Sequence, residues 1–403
     1  MSIPHALHRV DAANALLQTA PIPRSESVSI HDVFGRVTHT PLSTDRDHPP
    51  FNRATMDGFA VRSEDIVPGV ALPVFADVSA GSPPPNHVPQ GHCVRIATGA
   101  AVPDALDAVI QHEWCSTEEP ITVNTEHISP GLNIHQQGQD RTRGEHLVEA
   151  GVLIGAAEIG SAASAGHQTC SVAARPRISV MSTGDELVDL DEHPGPWQLR
   201  DSNSPMIAAT VSSLGAELVE RVRAPDDIDK TTELLDQLRT SADLVITLGG
   251  VSAGIKDYVP KAWDALGAHS ILEKPLIQPG RPTRAWRHEH GVAVGLPGNP
   301  VSALVCMHLF VRPWIRAALG LEPFGDWTTA TLLEETQPNS KRTLYRACRK
   351  EIHQESGQHA RVHIWHGSGD LPHLVQSDGI IELPLREEVV GNNEQLPFLP
   401  WRY

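Results

Sequence analysis

A strand–glycine–helix junction near residue 300 is the feature that most constrains this chain. The apolar run 292–296 predicts a buried strand, and Pro297-Gly298 ends it. Asn299 then stands at the N-cap position of a helix and Pro300 at its first residue, where the missing N–H of proline costs nothing. Such a junction aims backbone N–H groups at one point and attracts anions. Each contact contributes only about 0.3–1 kcal/mol when exposed, so an anion site needs several junctions of this type.

The region after residue 176 supplies those further junctions. Its pattern alternates short apolar strands with amphipathic helices, which predicts a mainly parallel α/β sheet. The predicted strands are 178–181, 217–222, 244–248, 271–276 and 292–296, and the predicted helices are 204–214 and 226–238. Ligands bind beyond the carboxyl ends of such strands, so the loops 182–186, 249–257, 277–284 and 297–300 form the candidate site.

The regions outside this α/β segment have other spacings of apolar residues and a different content of Gly and Pro. Residues 4–18 have the spacing of a short amphipathic helix, and residues 152–166 that of a helix of small side chains. Between about 26 and 175, many of the chain's 31 Gly and 33 Pro break short β-prone pieces, which predicts small antiparallel modules. Residues 327–403 again predict an all-β domain.

Charge and cysteine content limit the partners. A formal net charge of −17 repels nucleic acid and anionic membranes, so we expect neither partner, and an anionic substrate requires a local basic pocket. The five cysteines form no CxxC pair, which indicates reduced thiols in a cytoplasmic protein. The N-terminus lacks a signal-peptide pattern, and no run approaches the roughly 18 apolar residues of a membrane span.

Three loops of the α/β region carry possible chemistry. Asp185 and Glu186 suit a divalent cation, but taken alone an ordinary helix start, where acids favour the dipole, is the commoner interpretation. The glycine-rich segment 249–254, followed by Asp257, suits either a phosphate or an ordinary βα turn. Lys274 and the segment 278–284, with Arg281, suit an oxyanion clamp or a set of surface bases.

Two other clusters give weaker signals. His363 and His366, with His353, His359 and His373 around them, are interpreted as surface histidines in preference to a metal site, because residues three apart on a strand point to opposite faces. Ser302 and His308 lie six apart on one helix, which does not place a base against a nucleophile.

Six segments together resemble the signature motifs of the MoeA family of molybdopterin molybdenumtransferases, which includes the E domain of gephyrin and its plant counterpart. They occur in family order: Pro-Pro-Phe-Asn-Arg-Ala-Thr-Met-Asp-Gly-Phe-Ala-Val-Arg at 49–62, Ala-Thr-Gly-Ala at 97–100, Ser-Thr-Gly-Asp-Glu-Leu at 182–187, Asp-Ser-Asn-Ser at 201–204, Gly-Gly-Val-Ser at 249–252 and Pro-Gly-Asn-Pro-Val-Ser at 297–302.

The resemblance implies a multi-domain α/β plus β fold. An N-terminal helix (1–25) packs on a MogA-like molybdopterin-binding α/β domain (174–326) with a mainly parallel sheet. A linking domain is discontinuous (26–44 and 145–173), an inserted β-rich domain spans 45–144, and a C-terminal β-barrel spans 327–403. The family forms homodimers in which the α/β domain of one subunit and the inserted domain of the other share the active cleft.

The family reaction inserts molybdate into adenylylated molybdopterin, with Mg²⁺ as cofactor, and releases AMP and molybdenum cofactor. By resemblance, the catalytic residues are Asp57, Asp140, Glu186, Asp226 and Asp257, of which Glu186 and Asp257 hold the metal. The residues that bind substrate or anions are Thr98, Thr183, Ser202, Gly250, Ser252, Lys274, Arg281, Gly298, Asn299, Ser302, Arg346 and Ser368. A MogA-type enzyme, a molybdoenzyme or its chaperone are further expected contacts.

This chain departs from the family pattern at several positions. Gln278 stands where Lys or Arg is usual, and Arg281 replaces a common Lys. His135 stands near a usual Arg, and Arg53 and Thr55 replace a smaller pair. Two alternatives therefore stay open: a non-catalytic carrier of molybdopterin or finished cofactor, and a molybdopterin adenylyltransferase.

Overall fold

The structure is a computed structural model that describes residues 8–125, 128–251, 257–353, 357–362 and 367–401. The chain divides into two compact units. The large unit comprises Met1–Glu26, Gly35–His39 and Val172–Tyr403, and the small unit comprises Ser27–Phe34 and Thr40–Ser171.

The helices of the described residues are mostly short. They are α1 (Arg9–Leu17), α2 (Ala156–Ser164), α3 (Asn203–Ser213), α4 (Ile228–Ser241), α5 (Val259–Ala265), α6 (Pro300–Cys306), α7 (Arg312–Ala318) and α8 (Leu371–Val375), with 3₁₀ turns at Ser63–Asp65 and His112–Trp114 and a π-helical turn at Met307–Val311.

The strands, in chain order, are β1 (Ser25–Ser29), β2 (Leu42–Ser43), β3 (Arg53–Ala54), β4 (Gly58–Val61), β5 (Ala71–Leu72), β6 (Val74–Val78), β7 (Cys93–Ile96), β8 (Ala108–Gln111), β9 (Ile121–Thr122), β10 (Ile134–His135), β11 (His146–Val148), β12 (Thr169–Ala173), β13 (Arg177–Thr183), β14 (Leu187–Val188), β15 (Leu199–Arg200), β16 (Glu217–Ala224), β17 (Leu244–Leu248), β18 (His269–Glu273), β19 (Ile277–Gln278), β20 (Arg284–His288), β21 (Gly291–Leu296), β22 (Thr328–Leu332), β23 (Thr343–His353), β24 (Gly357–Val362), β25 (Gly379–Leu383) and β26 (Gln395–Pro400).

A six-stranded sheet forms the centre of the large unit, in the order β16-β13-β17-β21-β20-β18. The first four strands are parallel, which confirms the predicted mainly parallel α/β sheet. The strands β17 and β21 are buried almost throughout because helices cover both faces. The helices α1, α3, α6 and α7 contribute to the core on one face, and α4 and α5 to the core on the other.

The far edge of this sheet corrects one prediction. The sequence predicts that strands 271–276 and 292–296 complete a parallel sheet, but β18 ends at Glu273 and an unpredicted strand, β20, lies between it and β21, antiparallel to both. The alternation of apolar and polar residues that predicts a strand is not visible in β20, because two of its five residues are arginines, although Ala285 and Trp286 are buried. Because β18 still runs in the direction of β21, the loop after it remains at the carboxyl edge of the sheet.

The predicted helix after Pro300 is confirmed, and it is longer than the α6 range alone. The α6 helix, the π-helical turn and α7 together form Pro300–Ala318. Among the described residues, this helix has the length and apolar composition to cross a membrane, but 83% of its most apolar window is buried within the protein. Phe310 and Trp314 are fully buried, so it serves as a core helix here.

The C-terminal region forms the expected β-barrel. The strands β23, β24, β22, β26 and β25 follow one another, and pairing of β25 with β23 closes the circuit. The interpretation of the histidines as surface residues is wrong for His359, which is only 6% exposed. His363 and His366 lie outside the described residues, as do the side chains of His353 and His373.

The small unit consists of the predicted short β modules. A four-stranded sheet, β6-β7-β4-β8, is accompanied by two-stranded ribbons of β2 with β11, β3 with β10, and β5 with β9. The predicted small-residue helix is confirmed as α2, and in the large unit the predicted N-terminal helix is confirmed as α1. All five cysteines are free and buried, as expected of reduced thiols.

The centre of the small unit leaves no room for a side chain at Gly58. A Cβ there would lie 1.9 Å from the carbonyl oxygen of Ile110 on the neighbouring strand.

We therefore expect Gly58→Ala to destabilise the small unit by about 3 kcal/mol, the upper range for overpacking, as measured by chemical denaturation. Gly160→Ala in α2, which meets nothing within 4 Å, should be neutral or stabilising by up to about 1 kcal/mol. Equal stability of the two variants would contradict this packing.

Candidate active site

A cleft of about 760 Å³ opens at the carboxyl edge of the large unit's parallel sheet. This is where ligands bind in open α/β sheets. It is lined by Ser182, Thr183, Gly184, Glu186, Leu187, Leu199, Arg200, Asp201, Ser202, Asn203, Asp226, Leu248, Gly249, Gly250, Val251, Asp257, Pro282, Pro297, Gly298, Asn299, Pro300, Gly369 and Leu371.

Two glycines allow the turns after β13 and β17 to meet in this cleft. Gly249 and Gly250 have φ values of +83° and +65°, which side-chain-bearing residues rarely adopt. A Cβ on Gly250 would lie 2.9 Å from Thr183 Oγ1. The N–H of Gly249 also donates to the carbonyl of Leu296, 3.1 Å away. The glycine-rich segment therefore ties three strand ends together.

Three of the predicted catalytic carboxylates line the same cleft: Glu186, Asp226 and Asp257. Glu186 folds back over Gly184, where a Cβ would lie 2.4 Å from its Oε2. The backbone of Asp226 is held by a 3.0 Å hydrogen bond from its N–H to Asp185 Oδ1. The structure therefore brings together the two predicted metal ligands and a third predicted acid.

The donor chemistry of the cleft is compatible with Mg²⁺. No group of three or more His, Cys, Asp or Glu side chains among the described residues is arranged to hold a metal ion by itself. Mg²⁺, however, uses one or two carboxylates and completes its shell with water and substrate phosphate oxygens. Glu186 and Asp257 supply that number of carboxylates from two neighbouring loops.

The start of α3 forms another wall of the cleft, and it belongs to the signature segment 201–204, of which only Ser202 was assigned a role from the sequence. Asp201 accepts hydrogen bonds from the N–H and hydroxyl of Ser204, at 3.0 and 2.6 Å. Asn203 Nδ2 donates to the carbonyl of Gly298 at 2.6 Å. Ser202 lines the cleft as predicted. Asp201 and Asn203 therefore had a sequence signal through the motif that contains them, whereas Gly369 and Leu371 had none.

A helix begins after Asn299, as predicted, but fewer of its first N–H groups are available to an anion than the sequence predicts. Asn299 has extended backbone angles and Pro300 is the first helical residue. However, the N–H of Val301 already donates to the carbonyl of Ser368 at 3.1 Å, and Asn299 Nδ2 donates to Ser368 Oγ at 2.8 Å. Ser302 is buried, with 4% exposure. Fewer N–H groups therefore face an anion here than the junction suggested.

The predicted oxyanion clamp lies on one loop beside the cleft. Its ends are joined by a 3.2 Å hydrogen bond from Lys274 N to the carbonyl of Thr283. Lys274 and Arg281 are exposed, and Pro282 is the residue of this loop that lines the cleft. Gln278, where the family usually has a cation, accepts a 3.2 Å hydrogen bond from Asn339 Nδ2.

That loop is also fixed from the core side. A Cβ on Gly280 would lie 2.2 Å from Cys306 Sγ, and Thr283 Oγ1 donates to the Gly280 carbonyl at 2.7 Å. Arg346 lies on β23, and its burial lowers the pKa of its guanidinium. Ser252 lies outside the described residues, so its predicted role stays a prediction.

In the small unit, Asp57 and Thr98 lie together on the surface. Asp57 Oδ1 accepts from the N–H of Thr98 at 2.7 Å and from its hydroxyl at 2.9 Å. These two bonds, the backbone one first, lower the pKa of the Asp57 carboxyl. Asp57 is therefore an exposed carboxylate that resists protonation.

Asp140, the third predicted residue of the small unit, has a different partner. Its Oδ1 lies 3.0 Å from His135 Nε2. The other ring nitrogen, Nδ1, lies 3.1 Å from Arg53 Nη2. Asp140 thus stands at the end of a chain of three side chains.

Comparison with known proteins agrees with this arrangement. Residues 7–166 match the MoeA N-terminal region (domain I and II), and residues 179–317 match a probable molybdopterin binding domain. The mainly parallel α/β module with its cleft, joined to β modules, is thus of the class found in molybdenum cofactor biosynthesis.

Full-length relatives narrow this class. The molybdopterin molybdenumtransferase 2 of Mycobacterium tuberculosis is 34% identical over 92% of this chain and 91% of its own length. A molybdopterin molybdenumtransferase of Nostoc is 31% identical over 96% and 92%. A crystal structure of a MoeA protein from Pyrococcus horikoshii covers 99% of this chain and 100% of its own, with 27% identity and a TM-score of 0.83. The chain belongs to the MoeA family of molybdopterin molybdenumtransferases.

The Asp57–Thr98 contact gives a test by titration. Thr98→Val removes the hydroxyl donor but keeps the backbone N–H, so we expect the pKa of Asp57 to rise part of the way to its ordinary value of roughly 4. The stability that Asp57 contributes is present above that ordinary value and is lost as pH falls through the lower folded value. The variant should lose it at a higher pH than the wild type.

Carbon-13 NMR titration of labelled aspartate measures this shift directly. Thr55→Val, two residues before Asp57, is the matched control and should leave the pKa of Asp57 unchanged. An unaltered Asp57 titration in Thr98→Val would rule out the hydroxyl contribution.

Proposed function

We propose that this chain inserts molybdate into adenylylated molybdopterin and releases AMP, forming molybdenum cofactor. The observation that carries the proposal is the convergence of Glu186, Asp226 and Asp257 on one cleft of a MoeA-family chain. Two oxygen ligands of molybdate leave as water while the two dithiolene sulfurs bind molybdenum, and one water adds across the adenylyl phosphoanhydride bond, which gives AMP and the terminal phosphate of the pterin. No electron transfer is required, because molybdenum enters already oxidised.

We propose that Glu186 and Asp257 hold Mg²⁺ with water and phosphate oxygens. When bound, the ion would neutralise charge on the phosphoanhydride and polarise its P–O bond. Asp226, held by its neighbour Asp185, faces the same cleft and can accept a proton or orient water there. The backbone of Gly249 and Gly250 permits close approach of a phosphate group.

Lys274 and Arg281 are proposed to bind molybdate or phosphate from the loop beside the cleft. Both are exposed and on one closed loop, and a negative chain needs such local cations to attract an anion. We propose the cytoplasm as the site of action, as for a biosynthetic enzyme without exported substrates.

Removing one proposed metal ligand tests the function. Glu186→Gln keeps the side-chain shape but loses the charge, so we expect AMP release from adenylylated molybdopterin with molybdate to fall at least about a hundredfold, with circular dichroism unchanged. Glu192→Gln, in the following loop and outside the cleft lining, should keep wild-type activity.

The same assay separates the alternatives. A wild-type chain that binds the pterin without releasing AMP would favour a carrier over an enzyme. Wild-type activity in Glu186→Gln would remove the metal assignment. Running the assay with molybdate and tungstate in parallel also defines the preferred oxyanion.

We further propose that the active form is a homodimer in which Asp57, Thr98 and Asp140 of one copy complete the cleft of the other. The support is their chemistry. Asp57 is a surface carboxylate that accepts a hydrogen bond from Thr98, which lowers its pKa. Asp140 is more than half exposed. Closed two-fold dimers are the commonest way for a chain to share a site.

Mixing inactive variants tests this shared site. Asp57→Asn and Glu186→Gln should each be inactive alone. After co-refolding, half of the dimers are mixed and one of their two sites carries neither substitution, so activity should recover to about one quarter of wild type. Glu186→Gln mixed with Asp257→Asn, both in the large unit, should recover nothing. No recovery in the first mixture, with dimers shown by light scattering, would place each site within one copy.

A further inference from the structure

The chain of side chains that ends at Asp140 is the feature that carries a further inference. Arg53 and His135 face each other directly across the antiparallel ribbon of β3 and β10. Arg53 Nη2 lies 3.1 Å from His135 Nδ1, and His135 Nε2 lies 3.0 Å from Asp140 Oδ1. All three residues belong to the small unit.

The hydrogen-bond directions in this chain follow from chemistry. A guanidinium only donates, so His135 Nδ1 must be the acceptor and carries no proton. The ring proton is then on Nε2, which donates to the Asp140 carboxylate. The bond at one ring nitrogen thereby fixes the role of the other. Arg53 sets His135 as a neutral donor aimed at Asp140.

A backbone hydrogen bond holds the main chain at Asp140, so the position of its carboxylate depends on the side-chain rotamer. The N–H of Asp140 donates to the carbonyl of His48 at 2.9 Å. The Asp140 side chain is 58% exposed and that of His135 is 23% exposed. The imidazole therefore holds the carboxylate from the protein side while leaving it accessible to a substrate.

We infer that Arg53 and His135 act as one positioning unit for Asp140. This inference rests on the proposed function for its effect on turnover, but the assignment of the ring proton does not. Misplacing a reacting or orienting group by about 1 Å can cost on the order of a hundredfold in rate, so the unit has a measurable role.

The first test measures the imidazole itself. In protein labelled with nitrogen-15 histidine, we expect the wild-type His135 signals to show the proton on Nε2. His135→Gln identifies those signals by their disappearance. In Arg53→Ala, Asp140 still accepts from Nε2, so we expect the change at the other ring nitrogen: Nδ1 loses the guanidinium donor and should carry a proton in a measurable fraction of the molecules. An Nδ1 that stays without a proton in Arg53→Ala would overturn the inference.

The second test is a charge exchange. Arg53→Ala should reduce kcat for AMP release between about tenfold and a hundredfold, mainly without a change in KM. His135→Arg alone should also be impaired, because two guanidinium groups then face each other across the ribbon. The double variant Arg53→Ala/His135→Arg restores a single guanidinium beside Asp140 and should recover to within about threefold of wild type.

Arg143→Ala, which removes an exposed guanidinium from the same unit, is the matched control and should keep wild-type turnover. A double variant no better than Arg53→Ala would overturn the positioning role. If the wild type itself releases no AMP, the proposed function fails, and the tautomer measurement still decides whether Arg53 governs His135.

Discussion

The close approach of the turns that end β13 and β17 is the contact on which the cleft depends. Thr183 and Gly250 come so near that a single added carbon would lie 2.9 Å from the threonine hydroxyl and 3.1 Å from a methyl group of Val259. Any side chain at Gly250 would therefore push one loop away from the other. Glu186 follows Thr183 by three residues, and both line the cleft together with Gly250. The chemistry of the cleft thus rests on a backbone constraint rather than on the acids alone.

The charge of the cleft raises a second constraint. Its described lining contains four acids, Glu186, Asp201, Asp226 and Asp257, and one base, Arg200. Asp201 accepts two hydrogen bonds from Ser204 at the start of α3, where the helix dipole offsets part of its charge. The other three repel a polyanionic substrate, and the exposed bases Lys274 and Arg281 lie on the neighbouring loop. A binding scheme for phosphate and molybdate must therefore supply positive charge from outside the lining, through a bound cation or through that loop.

Much of the fold was predictable because periodicity and local signals agree in the α/β region. In the four parallel strands and in the helices α3 and α4, the apolar residues follow the side of the element that is buried. Asn299-Pro300 marks a helix start by local chemistry alone. The sequence missed β20 because its two arginines dilute the alternation of apolar residues, even though the strand pairs locally with β21 in a tight hairpin. It also missed Ser368 as the acceptor for the N–H of Val301. That bond joins residues 67 positions apart, and neither residue signals the other.

The Arg53–His135 pair shows why assigning functions residue by residue reaches a limit. Viewed one position at a time, neither Arg53 nor His135 indicates a role in the site. Viewed across the ribbon, the Arg53 guanidinium contacts the His135 imidazole, and that imidazole contacts the Asp140 carboxylate. The register that reveals this belongs to two strands of two residues each, 82 positions apart, which are too short to produce a pattern. What must be conserved around Asp140 is the direction of a donor toward its oxygen, and more than one pair of side chains can provide it.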